Sequence, residues 1–191
     1  MIRPAHWLLP EENSDAIAAL AASARLTRPT AAVLWTRGYR EPESARRFLS
    51  PSIEDLPDPA ALTGMDRAVA RLRAALDRRE KILLYGDYDV DGTTSIVILT
   101  KALEMAGAAG VGFHVPHRLR DGYGMRTEVI ETAFSEGVGL IVSVDTGIRA
   151  GEVVRRAREL GLDVIVTDHH LPEREIPPAV AVLNPNQPGC T

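Results

Sequence analysis

The sequence predicts an α/β protein, a parallel, Rossmann-like sheet with helices on both faces, preceded by a short helical segment. Two observations predict it. From Gly64 onward, short apolar runs alternate with helical periodicities, the pattern of strands joined by helical crossovers. One of those runs, Leu140 to Val144, is almost unbroken in apolar character, which suits a strand covered on both faces, as in a parallel sheet.

Residues 1–63 read as a helical, proline-punctuated lead-in. Asn13 and Ser14 offer N-caps to a helix over Asp15 to Ala24, Pro29 suits the first turn of a helix reaching Trp35, and Pro42 opens another through Leu49. Pro51, Pro57 and Pro59 then break the chain. Trp7, Trp35 and Phe48 are assigned to a core rather than to base stacking, the commoner use of large aromatics on short helices.

The second region, residues 64–191, opens with Met65, Ala68, Val69, Leu72, Ala75 and Leu76 recurring at three and four. This marks an amphipathic helix with Arg67, Arg71, Arg78 and Arg79 on its solvated face. A strand over Ile82 to Tyr85 follows, then a helix over Gly92 to Met105 with Thr93, Thr94 and Ser95 as capping hydroxyls. Val111 to Val115 supplies a second strand and Arg126 to Glu136 a helix. Leu140 to Val144 is the third strand, followed by a helix from Arg149 to Leu160 that Gly161 stops. Val164 to Val166 makes a fourth strand and Ala179 to Leu183 a fifth. No fixed-period repeat is present.

At 191 residues, 45% hydrophobic and 25% charged, the chain has ordinary globular composition, gives no indication of disorder and is long enough for one α/β domain with a sizeable core. A net charge of -4 gives no global basic signature, so any nucleic-acid contact must rest on local arginines. The lone Cys190 excludes an internal disulfide framework and fits a reducing compartment. The start lacks a basic segment followed by an apolar core, and no run of about 18 apolar residues occurs. A cytoplasmic protein without membrane association is expected.

The stretch Ile82 to Ser95, ILLYGDYDVDGTTS, ends an apolar run at three aspartates spaced two apart. Carboxylates packed this closely repel one another unless a cation lies among them. The same D-x-D-x-D-G pattern opens a calcium-binding EF-hand loop, but the twelfth position, counted from Asp87, is Ile98, which cannot supply the bidentate carboxylate.

Two further strand ends carry similar chemistry. Asp145, Thr146 and Gly147 follow the third strand, and Asp168, His169 and His170 follow the fourth. A parallel sheet gathers the carboxyl ends of its strands along one edge, where its ligands bind. Asp89, Asp91, Asp145, His169 and His170 therefore converge, with Asp87 and Asp168 close by. Mixed carboxylate and imidazole donors suit manganese, with magnesium or zinc as alternatives. An aspartate shared by two ions would permit two-metal hydrolysis of a phosphate ester.

The segments Y-G-D-Y-D-V-D-G-T-T-S, V-S-V-D-T-G-I and V-T-D-H-H-L-P resemble, in order and spacing, the first three motifs of the DHH phosphoesterase superfamily. The G-D-Y-D-V-D-G form, R-L-R-D-G-Y-G-M at 118–125 and L-N-P-N-Q-P at 183–188 are similar to its RecJ-type branch. That resemblance implies a 5′ to 3′ exonuclease on single-stranded DNA, acting in repair and recombination as a monomer, with a single-strand-binding protein and a helicase as partners. It implies Asp89 on one metal, Asp91 on the other, Asp145 bridging them, His169 on the second metal, His170 at the substrate phosphate and Asp168 orienting the site. Some members carry a histidine ligand where this chain has Tyr85, a loss for which Asp87 would compensate. Two other readings share the motifs: an oligoribonuclease or nucleotide phosphatase, and a non-catalytic scaffold that binds without hydrolysis.

Arg118 and Arg120 flank a glycine turn on the same expected edge, placed to clamp phosphates, and Tyr123 could stack on a base. His6, His114 and His117 gain no ligand role from spacing. Against the family pattern, the sequence reaches Thr191 without a fourth-motif aspartate or a further substrate-binding domain. The front part of a longer protein is expected, with a weakened second metal site.

Overall fold

The computed structural model describes residues 13–190; Trp7 and His6 lie outside them. The chain divides into two compact units, Met1–Pro57 and Asp58–Thr191.

In the first unit, Asn13 accepts a hydrogen bond from the Ala16 N–H and so caps α1, Ser14–Ala24. Thr27 caps α2, Arg28–Thr36, whose first turn contains Pro29, and Pro42 begins α3, Pro42–Leu49. Ile17, Leu20, Ala24, Ala31, Leu34 and Ala45 form the core where the three helices meet, and Trp35 packs against it half-buried. Phe48 departs from its expected core role. It is 44% exposed, its ring against Tyr39 at a centroid distance of 4.3 Å, because a helix this short turns only the small Ala45 fully inward.

The second unit follows the order α4 Met65–Asp77, β1 Lys81–Gly86, α5 Val90–Met105, β2 Val111–His114, α6 Thr127–Ser135, β3 Val138–Val144, α7 Gly151–Glu159, β4 Asp163–Thr167 and β5 Ala181–Leu183. All five strands are parallel, in the order β2-β1-β3-β4-β5. Alternation along each strand sorts the core into two layers. Ile82, Leu84, Leu140, Val142, Val144 and Ile165 face α4 and α5, while Tyr85, Ile141, Val164 and Val166 face α6 and α7. The sheet is covered on both faces, as its apolar strands predict.

Two details of the helices overturn expectation. Thr93, Thr94 and Ser95 do not cap α5, because the helix begins earlier, at Val90, with Asp89 as its N-cap. Arg71 is not on a solvated face. Its side chain is only 12% exposed and bridges Glu80 at 2.6 Å, Asp163 at 2.5 Å and the Gly139 carbonyl at 3.1 Å. It thus binds α4 to the amino edge of the sheet, and the turn that buries it leaves Val69, expected inside, 37% exposed.

Chain direction across the sheet reverses between β1 and β3: β1 leads through α5 outward to β2, whereas β3 leads through α7 to β4 on the other side. This switch point opens a crevice at the carboxyl ends of β1 and β3, and Gly86 of β1, Val144 of β3 and Thr167 of β4 lie in register beside it.

Candidate metal centre

After Gly86 the chain turns through Asp87, Tyr88 and Asp89 directly into α5. The turn closes against the first turn of the helix at Gly92, where a Cβ would lie 2.5 Å from both the backbone N and O of Asp87; only glycine admits that approach. Asp89 accepts the Gly92 N–H at 3.0 Å. That bond first, and the Arg118 charge among lesser causes, holds its carboxyl below the ordinary carboxylate range. Asp87 is buried, and one of its carboxylate oxygens has no hydrogen-bond partner.

Asp145 extends β3 by one residue, its N–H donated to the Thr167 carbonyl at 2.9 Å. Its φ of 59° puts it in the left-handed region that aspartate tolerates better than most residues, and this bend turns the side chain into the crevice. The residue is 7% exposed, and neither carboxylate oxygen receives a well-directed hydrogen bond. His169 Nε2 stands 3.0 Å from Oδ1. Burial, and then the adjoining Asp89 carboxyl, push its acid above the ordinary range.

Asp168, by contrast, is fully engaged. Oδ1 accepts the N–H groups of His169 at 2.7 Å and His170 at 3.0 Å and lies 2.7 Å from His170 Nδ1, while Oδ2 accepts the Ile148 N–H at 2.9 Å. Burial alone would raise this acid; the donors outweigh it and hold the group low. With the His170 Nδ1–H donated to Asp168, Nε2 is left as the basic nitrogen.

Ligand-type atoms of Asp87, Asp89 and Asp145 lie within 4.8 Å of one another, as do those of Asp145, His169 and His170. Asp145 belongs to both groups. Buried carboxylate oxygens without donors, beside an imidazole, fit a divalent cation, which would supply the positive partner that the protein withholds. Asp91, expected among the ligands, stands outside both groups on the exposed first turn of α5; it lines a cavity of about 360 Å³ together with Asp145 and His169.

The rim is aromatic and basic. The Arg118 guanidinium lies 4.4 Å from the centroid of the Tyr88 ring, Tyr88 meets Tyr123 edge-on at 6.5 Å, and the Tyr123 hydroxyl is 3.3 Å from His170 Nδ1. Burial, then the charges of Asp168 and Asp87, push the Tyr123 phenol up to about 12. Arg120 is exposed, and its charge acts on Asp121. Tyr85 points away into the α6/α7 layer, its hydroxyl donated to the Gly124 carbonyl at 3.2 Å and its ring against His114. His117 caps a turn, with Nδ1 accepting the Leu119 N–H.

Tyr88, an aromatic between two aspartates, and Asn184 and Asn186, which follow β5 on the same edge, lie in the segments that carry the family resemblance but gain no individual role from the sequence. A polar pair around a proline just past a strand end was the available signal. Asn184 is fully buried; its Nδ2 donates to the His170 carbonyl at 2.9 Å, and Asn186 Nδ2 donates to the His169 carbonyl at 2.5 Å.

Comparison with known proteins gives a consistent picture. Residues 81–191 match the DHH family, N-terminal domain. The chain is 40% identical over 185 residues to the single-stranded-DNA-specific exonuclease RecJ of Bacillus subtilis, covering 97% of this chain and 23% of that protein. With the Escherichia coli exonuclease of the same name it shares 39% identity, covering 81% and 26%. It thus spans about a quarter of the length of these curated relatives. Among solved structures, exonuclease RecJ bound to manganese superposes with a TM-score of 0.63 at 38% identity, over 71% of this chain and 34% of that one. RecJ of Thermus thermophilus in complex with Mn2+ gives 0.67 at 30% identity, over 96% and 25%.

Proposed function

The chain belongs to the DHH family, and we propose that it is the catalytic region of a metal-dependent phosphodiesterase that degrades single-stranded DNA from the 5′ end in repair and recombination. The observation that carries this reading is Asp145, a buried carboxylate without hydrogen-bond donors, shared between an acidic group and a histidine group. Similarity to manganese-bound exonucleases supports the choice of metal and substrate. Catalysis is assigned to residues 64–191, preceded by the helical segment 1–63.

Asp87, Asp89 and Asp145 would hold one ion, and Asp145, His169 and Asp91 the other. Divalent ions, manganese first and magnesium as alternative, supply the Lewis acidity that makes water nucleophilic near neutrality and offsets charge on the phosphate. Asp145 orients both halves of the site from the strand end. His170 presents Nε2 to the phosphate or leaving oxygen, with Asp168 fixing its ring through Nδ1. Tyr88 and Tyr123 offer faces for bases, and Arg118, braced on Tyr88, offers a cation to the backbone. Arg120, exposed two residues further on, offers a second cation to the same backbone.

Among the described residues no helix is long and apolar enough to cross a membrane. We assign the protein to the cytoplasm, as a monomer working with a single-strand-binding protein and a helicase. The test is manganese-dependent release of 5′ mononucleotides from single-stranded DNA by the full-length gene product. Loss of release in Asp145→Ala is expected, and undiminished release in that variant defeats the reading. Faster turnover of a dinucleotide than of a long strand would move the substrate to short oligonucleotides.

A further inference from the structure

The loop that carries both histidines is held in place almost entirely by side chains. β4 ends at Thr167, and among the described residues no backbone-to-backbone hydrogen bond reaches residues 169–171. Instead the His169 and His170 N–H groups converge on Asp168 Oδ1. The three successive carbonyls of His169, His170 and Leu171 are taken by Asn186 Nδ2, Asn184 Nδ2 and Arg149 Nε. Loop groups left free would instead exchange with water and let the rings wander.

The two asparagines act as a unit. Asn184 is 0% exposed and spends its amide on both sides, Nδ2 on the His170 carbonyl and Oδ1 on the Asn186 N–H at 2.7 Å. That second bond fixes the backbone from which Asn186 reaches His169. Beneath them, the Asp168 N–H is donated to the Leu183 carbonyl at 3.0 Å, and Gln187 Nε2 is donated to the carbonyls of Val182 and Thr63. The Asp168–Leu183 bond staples the exit of β5 to the exit of β4, whereas the Gln187 bonds end on β5 itself and on Thr63.

We propose that Asn184 and Asn186 are positioning residues for the imidazoles of His170 and His169, setting the metal affinity of the second ion site through the backbone of the histidine loop. This rests on the metal-centre reading above. Both residues act through the carbonyls of the histidines and belong to neither ligand group. Groups that orient metal ligands without binding the metal commonly change affinity about 10- to 100-fold when removed.

The experiment measures Mn2+ affinity by electron paramagnetic resonance on the full chain, with folding followed by circular dichroism. Asn186→Ala, at an exposed position, is expected to weaken Mn2+ binding about tenfold with an unchanged melting profile, and Asn186→Gln, which keeps a donor amide, to recover part of that loss. Asn184→Ala is expected to weaken binding further and to broaden the Mn2+ signal. Gln187→Ala serves as the control, because it cuts bonds in the same turn that reach neither histidine. Equal affinity in Asn186→Ala and the unaltered chain overturns the proposal, as does an equal loss in Gln187→Ala. Absence of Mn2+ binding by the unaltered chain overturns the metal-centre reading and this inference with it, which separates the two failures.

Discussion

The carboxylate of Asp145, at the end of β3, stands 3.0 Å from Nε2 of His169, at the end of β4. The two residues come from neighbouring strands whose last hydrogen bonds are in register, so the sheet itself sets the separation. Neither Asp145 oxygen has a directed hydrogen-bond donor, and the carboxylates and imidazole gathered here fit a divalent cation.

From this follows a trade between stability and binding. Asp145→Asn removes a buried charge beside Asp89 while keeping a residue that tolerates positive φ. Without metal it is expected to be more stable by about 1–2 kcal/mol. Manganese, which should raise the melting temperature of the unaltered chain, is expected to leave that of the variant nearly unmoved. An equal manganese shift in both would show that Asp145 is not a ligand.

Gly92 is the second point of leverage. A methyl group there must displace the Asp87 backbone, 2.5 Å away, and with it the acidic turn. Gly92→Ala is expected to cost about 1–3 kcal/mol in urea unfolding and to abolish manganese binding. Retention of both would mean that the turn relaxes freely.

Arg71 provides the opposite dissociation. It joins α4 to the starts of β1, β3 and β4, at the far edge of the sheet from the site. Arg71→Ala leaves Glu80 without its closest partner and is expected to destabilise the fold by about 2–3 kcal/mol, while manganese affinity measured below the new melting point stays within a factor of two or so.

Tyr85 predicts an alkaline transition. Burial first raises its phenol to about 12 from an ordinary value of 10. The folded state therefore favours the neutral form: its contribution is complete below pH 10 and is lost as pH rises through 12. The loss is expected to reach about 2–3 kcal/mol. Tyr85→Phe, which forfeits only the bond to Gly124, should flatten that part of the stability profile between pH 10 and 12; an unchanged profile would assign the transition to another group.

Tyr88, if it stacks on a base, should matter for DNA and not for metal. Tyr88→Ala is expected to weaken single-stranded DNA binding about tenfold, the lower part of the range for one base on one aromatic, with manganese affinity unaltered. Fluorescence anisotropy with a labelled oligonucleotide reads the first quantity and electron paramagnetic resonance the second.

Much of this molecule is legible from local patterns. Short apolar runs and periods of three to four residues mark every strand and α-helix of the second unit to within a few residues, because strand length and side-chain direction follow from backbone geometry. The parallel sheet follows from apolar strands alternating with helices, and a parallel sheet forces the ends of β1, β3 and β4 to one edge. Asp87, Asp89, Asp145, His169 and His170 could thus be named together, though far apart in sequence, since their convergence needs only the direction of the strands.

What local pattern could not decide was which member of each cluster faces which neighbour. Asp89 and Asp91 are equivalent as text, yet α5 begins between them, so one caps the helix and joins the acidic group while the other rides its exposed first turn. Arg71 looks like any surface arginine until the folded sheet supplies Glu80, Asp163 and Gly139 around it. Asn184 and Asn186 are ordinary loop residues until β5 docks beside β4 and brings the histidine carbonyls within reach. Burial and long-range hydrogen bonding arise only when distant segments meet. The sequence by itself determined the strand ends and the chemistry placed on them; the tertiary structure alone decided which of those groups are buried, which are paired and which lack a hydrogen-bond donor.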